Sequence, residues 1–510
     1  MIISLSVLVI TIIVSGTYAL YKAQLSKNIG VNTTTHGLAY YINYVKGTDI
    51  TAATLNPSTS YESGASSDIE FWKKDDSYDI YGKIDLTVNT IGTNLKNSPA
   101  LKYAVVNNGN VLSTGSLKGT TSGSKVTILK NLYLEQTKQI YTVYVWLDNS
   151  EELGNISNES LSISVDCTAS LQKEPAADTI ISLYTSAAKV TATNNSITYN
   201  TAPSVSLMND RLGGTTTDLD GGNIRYYGAN PNNYIYFNCS DYSNQTSSTC
   251  ETWRIIGVFD GKLKLIRGSQ IGTYSWDNKN TNTGAENNYG KNDWTTARLM
   301  KLLNPSDYYT VDSNDNNLGQ SLYYNSTSGK CYSGQNNATK DCDFTSTGIK
   351  DTTRNMIAET TYYLGGWNNA SVYPNQIYEY ERGTTVYTGR PTTPWTGKIA
   401  LAYPSDYGYA ADLNQCKDKT LYDYDNRTCT SNNWMKAIIT NNGSNNGWLL
   451  TPYSGNSSSA WSVYSGGYVD NYYYDAYNAF GAVPVLSLSS ELGIESGGDG
   501  SSSKPYKLSA

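Results

Sequence analysis

Histidine is almost missing from this chain: His36 is the only one among 510 residues. That excludes His-rich metal sites and argues against Ser-His-Asp or Cys-His catalytic pairs. Charge is scarce too, at 16% of residues against about 25% in ordinary soluble domains. The 37 basic and 44 acidic residues give a net charge of −7, and no Lys/Arg cluster stands out. Without a basic footprint, nucleic acid is not expected as a partner. No cysteine pair has CxxC spacing, which argues against zinc. No spaced carboxylate pair is marked out for glycosidase chemistry, since Asp406 and Glu359 sit in no recognisable motif. The glycines of Gly497-Gly498-Asp499-Gly500 lack the Lys and following helix of a phosphate loop and read as a turn.

Polarity comes instead from Asn, Ser, Thr, Gly and Tyr, with 45 Tyr against only 5 Phe. Ile, Leu, Val, Tyr and Trp recur throughout, so sizeable cores can form and the chain is not a disordered one. Residues 2–18 are uncharged and mostly Ile, Val, Leu and Ser, ending in Thr17-Tyr18-Ala19. Segment 1–22 therefore reads as a cleaved signal peptide or a retained membrane anchor, the only membrane contact expected. In an exported chain the local cysteine couples suggest disulfides 239–250, 331–342 and 416–429, from Cys239, Cys250, Cys331, Cys342, Cys416 and Cys429. Each would stabilise its loop by roughly 3 kcal/mol. Cys167 is left over, either free or paired between molecules. No cofactor is called for. Calcium has only weak candidates: Asp312-Ser313-Asn314-Asp315-Asn316, with Asn317 where an EF-hand needs Gly and Tyr323 where it needs Glu, and the turn Asp218-Leu219-Asp220.

Residues 23–168 read as short β-strands. The clearest is Tyr141-Thr142-Val143-Tyr144-Val145-Trp146-Leu147, alternating with period two, and Leu161-Ser162-Ile163-Ser164-Val165 repeats the pattern. Segments 80–88, 101–106 and 126–134 alternate in part, and turn signals between strands suggest a β-sandwich. Residues 169–205 read as a linker with a helix over 176–189, Pro175 standing at its start. The remainder, 206–510, reads as loop-rich α+β. It has a hairpin turning at Asp260-Gly261 and helices over 294–303, capped by Asp293, and over 351–364. Residues 398–402 and 483–488 read as strands.

The first region resembles the camelysin/TasA type of secreted matrix-fibre protein. The resemblance rests on Ser15-Gly16-Thr17-Tyr18-Ala19, the 141–148 strand and the final strand near 161–165. It implies a jelly-roll-like sandwich. The second region resembles secreted bacterial domains related to the C-type-lectin and formylglycine-generating-enzyme fold. The matching residues run in order: Tyr234-Ile235-Tyr236-Phe237-Asn238, Trp253-Arg254-Ile255-Ile256-Gly257, Trp395-Thr396-Gly397-Lys398, Tyr403-Pro404-Ser405-Asp406, Trp448-Leu449-Leu450-Thr451-Pro452, Trp461-Ser462-Val463 and Gly481-Ala482-Val483-Pro484-Val485. Val483 departs from the Arg common at that place. The enzyme's reactive core cysteine pair is not matched, so its activity is not carried over.

Residues 453–478 hold seven Tyr, six Ser, three Gly, three Asn and two Asp, with no Lys or Arg. This is a paratope-like composition, in which Tyr gives rigid amphipathic area and Ser, Gly and Asn give adaptable hydrogen bonds. Some relatives of the resembled domains are variable proteins of diversity-generating retroelements, and the window has the residue set such variation leaves. The resemblance places candidate ligand-binding positions at Ser454, Asn456, Ser457, Ser458, Tyr464, Tyr468, Asp470, Asn471, Tyr472, Tyr473, Tyr474, Asp475, Tyr477 and Asn478.

The reading is thus a β-rich, two-domain chain, a β-sandwich followed by a C-type-lectin-like domain. It is expected at the outer face of a bacterial cell, where it binds a glycan, a phage or a surface protein, with no catalytic residues. The rival readings are a structural matrix or pilus-like subunit and, behind it, a secreted hydrolase.

Overall fold

The computed structural model describes Ala23–Gln24 and residues 41–509, apart from 53–54, 155, 157–158, 195–196, 213–221, 279–288, 312–317, 388–389, 417 and 471–473. The 1–22 segment, His36 and both calcium candidates therefore lie outside the described residues. Among those described, no helix is long and apolar enough to cross a membrane. The protein is β-rich, and its chain divides into two compact units.

The first unit holds the residues up to Glu174 together with Gly493–Gly498. Two mainly antiparallel sheets share one apolar core. In one, Leu161–Ser170, Tyr81–Ile91 and Lys125–Tyr133 lie side by side; in the other, Ile42–Val45, Ala65–Lys73, Ile140–Asp148, Leu101–Asn107 and Asn110–Ser116 do. The period-two sequences explain this packing. Tyr141, Val143, Val145 and Leu147 point inward from one sheet, while Leu161, Ile163, Val165 and Cys167 do so from the other. Cys167 is thus a buried thiol inside the core, and burial raises its pKa well above the ordinary value. In the folded chain this sulfur is not available for a bond between molecules. The segment Gly493–Gly498 belongs here because Asn131 donates to the Ile494 carbonyl and Ser496 accepts from the Lys130 amide.

The second unit spans Pro175–Leu492 and Asp499–Leu508. The expected linker, 169–205, is part of it from Pro175 onward, while 169–174 belong to the first unit. After the helix Ala176–Ser186, strands Val190–Asn194 and Ile197–Ala202 begin a nine-stranded sheet. That sheet continues through Leu207–Asn209, Ile224–Tyr226, Glu251–Phe259, Lys262–Arg267 and Val485–Ser487 to Ile399–Ala400, with Tyr234–Phe237 on the outer part of Glu251–Phe259. The hairpin turns where expected: Asp260 and Gly261 have φ of 47° and 71°, the left-handed pair of a tight two-residue turn. Gly257 is required for a different reason, because a Cβ there would lie 2.0 Å from the Ile224 carbonyl oxygen of the neighbouring strand. A five-stranded sheet of Thr273–Tyr274, Phe480–Gly481, Gly447–Pro452, Ala460–Val463 and Val469–Asp470 carries the Tyr-rich window.

Two helix expectations change. The first helix starts only at Arg298, because the Asp293 carboxylate bonds the Thr295 amide and hydroxyl and holds a turn instead. The second is a single turn, Asp351–Arg354, followed by the strand Thr360–Tyr362, where threonines favour an extended chain.

The disulfides Cys239–Cys250, Cys331–Cys342 and Cys416–Cys429 are all present, as the spacing suggested. Such bonds belong to an oxidising compartment. Cys167 is then the only thiol for a probe to find. Ellman's reagent is expected to leave native protein unlabelled and to label one thiol per chain in guanidinium chloride. Rapid labelling of native protein would show that the core around Cys167 opens.

Candidate functional site

The window 453–478 sits on anchors that reach backbone atoms. Asn292 is fully buried, and its side-chain amide donates to the carbonyls of Tyr453 at 2.9 Å, Asn456 at 3.0 Å and Ser459 at 2.7 Å. Buried tryptophans fix the flanking strands in the same way. The Trp448 indole donates to the Tyr274 carbonyl, Trp276 to that of Leu449 and Trp461 to that of Trp367. An indole or amide that bonds a carbonyl specifies a path for the chain without specifying the side chains along it.

The candidate residues separate into three groups. In the first, polar side chains serve the loop itself. Asn456 accepts from the amides of Ser458 and Ser459, Ser458 donates to the Asp475 carboxylate at 3.0 Å, and Asn478 donates to the Asp475 carbonyl. Ser457, Ser458 and Asp470 are buried, at 3%, 8% and 7% exposure. The second group is half-buried: Ser454, Tyr464, Tyr468, Tyr474 and Tyr477. The third, Asn471, Tyr472 and Tyr473, lies outside the described residues.

Within the second group three tyrosines gather. Tyr464 stacks on Tyr468 with ring centroids 4.8 Å apart, and Tyr474 lies 6.4 Å from Tyr464 at a 23° interplanar angle. Tyr422 joins from the loop between Cys416 and Cys429, 5.6 Å from Tyr468 and 52% exposed. Partial burial, reinforced by nearby Asp470, raises the hydroxyl pKa values of Tyr468 and Tyr474, so both stay neutral donors at physiological pH. Tyr477 stands apart and stacks on Tyr289. Sequence reasoning missed Tyr422. The signal was a tyrosine inside a disulfide-closed loop, but its proximity to the window is a tertiary fact. A cavity of ≈40 Å³, lined in part by Asn292, Trp294 and Pro452, is large enough for little more than water.

Behind the loops lies a buried charge network. Arg225, at 1% exposure, donates to Asp210 at 2.5 Å and to Asp406 at 3.1 Å, and Lys264 bonds the other Asp406 oxygen. Burial raises the Asp406 pKa, but Lys264 and Arg225 outweigh it and leave the carboxyl below its ordinary value. Asp406 is thus a buried structural anion, while Glu359 accepts from the Tyr308 hydroxyl at 2.8 Å. Glu381 caps the next turn, accepting from the Ser405 amide and hydroxyl. Its burial is complete and pushes its pKa up to about 7, against the pull of Arg382 and of these two bonds. Val483 lies in the apolar core, so it packs where the resembled family would place an Arg. Among the described residues no group of His, Cys, Asp and Glu could hold a metal ion.

In comparisons with known proteins, no family model matches the chain, and no curated protein matches it either.

Glu381 gives stability a pH dependence of defined sign. Its folded value of about 7 lies above the ordinary 4.5, so between those values the folded chain keeps a proton the unfolded chain has lost. Its contribution is complete below the unfolded value and disappears as pH rises through the folded one. In urea melts from about pH 5 to 8, Glu381→Gln is expected to flatten the decline seen in the wild type. Parallel declines in the two proteins would assign the slope to other groups.

Proposed function

We propose that the chain is a ligand-binding protein of the outer face of a bacterial cell, with its recognition surface built on the tyrosines of the 453–478 window. The observation that carries this reading is the cluster Tyr422, Tyr464, Tyr468 and Tyr474, half-buried to exposed, in a segment free of Lys and Arg. Tyrosine rings give contact area at small entropic cost, and their hydroxyls give direction. The three disulfides fit an oxidising exterior. The resemblances to a jelly-roll-like secreted sandwich and to C-type-lectin-like domains supply the two-domain architecture and the export. They also supply the idea that the window is a retroelement-diversified segment. The ligand class is a glycan, a phage or a surface protein, and recognition is non-covalent.

Two measurements test this. Sequencing the locus across a population should find substitutions concentrated in codons 453–478, at positions that are adenine in a nearby near-duplicate. A window as constant as codons 253–266 would exclude diversification. For binding itself, the full chain on an array of bacterial and host glycans should lose signal at least tenfold when Tyr464, Tyr468 and Tyr474 all become Ala, since central aromatic anchors carry roughly 2 kcal/mol or more each. Circular dichroism should not change. Equal binding by the triple variant would remove the surface from the proposal, and assembly into large species at micromolar concentration would favour a structural subunit.

A further inference from the structure

Three guanidinium groups of the second unit, those of the buried Arg225 and Arg254 and the half-buried Arg267, can be compared by their partners. Arg225 is held by two carboxylates. Arg267 forms a two-pronged pair with Glu251, at 3.1 and 2.9 Å. Arg254 has no ion pair among the described residues, although it is only 7% exposed. Its Nε donates to the Asn233 amide oxygen and its Nη2 to the Pro231 carbonyl at 3.2 Å. Those bonds use two of the five N–H donors of a guanidinium. The rings of Tyr234 and Trp434 lie 3.6 and 5.0 Å from the guanidinium carbon. Ring faces attract a cation but do not neutralise it.

The placement is enforced by the fold. Arg254 lies in the strand Glu251–Phe259 directly opposite Tyr234 on one neighbour and Ile266 on the other. Asn233 is fully buried, and its amide also donates to the Ile255 carbonyl, so the residue that orients Arg254 is itself fixed. Arg254 lines a groove of ≈480 Å³, together with Tyr234, Glu251, Thr252, Arg267 and Ile438. That volume suits a small molecule.

We infer that this groove is a second binding site, which takes a small ligand through one carboxylate group bound by Arg254. A buried charge without a counter-ion is costly, and an anion entering the groove would complete the pairing that Arg225 and Arg267 already have. The charge balance selects the ligand. Arg254 and Arg267 contribute two positive charges and Glu251 one negative, so the lining needs one more negative charge, which a monocarboxylate supplies and a dianionic phosphate exceeds. The planar fork of a guanidinium matches the planar fork of a carboxylate. Tyr234 and Ile438 offer apolar contact, and the Thr252 hydroxyl offers a polar one. The site is independent of the tyrosine surface.

The test is calorimetric titration of the full chain with glucuronate, N-acetylalanine, glucose and inorganic phosphate. Saturable binding of either carboxylate, at least tenfold tighter than glucose and phosphate, is expected. Tighter glucuronate identifies an acidic sugar as the source of the carboxylate, and tighter N-acetylalanine a peptide C-terminus; each supports the site. Arg254→Gln should weaken that binding at least tenfold. Because this variant removes a buried group and could unfold, Thr252→Trp is the second probe. Thr252 is exposed on the groove wall, so the indole should block entry while the melting temperature holds. The proposal is overturned if neither carboxylate outbinds glucose, if phosphate binds as tightly as they do, or if folded Thr252→Trp protein binds like the wild type.

Discussion

Asp406 is the point on which the second unit depends. One carboxylate oxygen accepts from Arg225, on the strand Ile224–Tyr226. The other takes Lys264, from Lys262–Arg267, and the Tyr403 amide at the start of the turn Pro404–Tyr409. Arg225 extends the chain of charges to Asp210. Removing one member of such a buried set leaves the others uncompensated at a cost of about 3–5 kcal/mol, although an apolar replacement of the whole set could be as stable. What the network secures is therefore geometric. Two strands and a helical turn, far apart in sequence, must come together in one arrangement before any of these charges is satisfied.

Loops dominate the rest of this unit, and buried loop backbone needs partners that sheets and helices would otherwise supply. Asparagine supplies them here. The side-chain amide of Asn304 donates to the Ile399 carbonyl and its oxygen accepts from the Ile399 amide, as a strand neighbour would. Asn238 does the same for Gly348 and Lys350, and Asn433 for Tyr407 and Met435. Asn292 and Asn233 also donate to backbone carbonyls. All five are at most 5% exposed. The abundance of asparagine in the sequence is thus in part a property of the interior, where one side chain offers both a donor and an acceptor.

This also marks the limit of what the sequence discloses. Elements governed by local pattern were legible. Alternating residues gave the strand Ile140–Asp148, Asp-Gly gave the hairpin turn, and cysteine spacing gave the three disulfides. Elements decided by distant partners were not. Asparagine reads as a turn former, and nothing local marks Asn292 as a buried anchor of three carbonyls. Ser457 and Ser458 carry the composition of a binding loop, yet they lie buried at its base. Arg254 read as an ordinary strand residue, because a missing counter-ion is visible only once every neighbour is in place.

The window itself divides along the same physical line. Asn456, Ser458 and Asp475 act through their side chains, so replacing any of them removes a bond that shapes the loop. Tyr464, Tyr468 and Tyr474 are held differently. Tyr464 and Tyr468 close their turn through main-chain atoms, the Tyr464 amide donating to the Tyr468 carbonyl, and the Tyr474 carbonyl accepts from the Ala460 amide. The Tyr407 hydroxyl fixes Gly467, again through a carbonyl. Here the path of the chain is set by groups every residue possesses, and the rings add contacts with one another, with Tyr422 and, for Tyr474, with Phe480. A surface that must change its chemistry without losing its shape needs this separation. Under the proposed diversification, substitutions would fall at the tyrosine positions and spare the polar base of the loop, a narrower set than composition alone would assign.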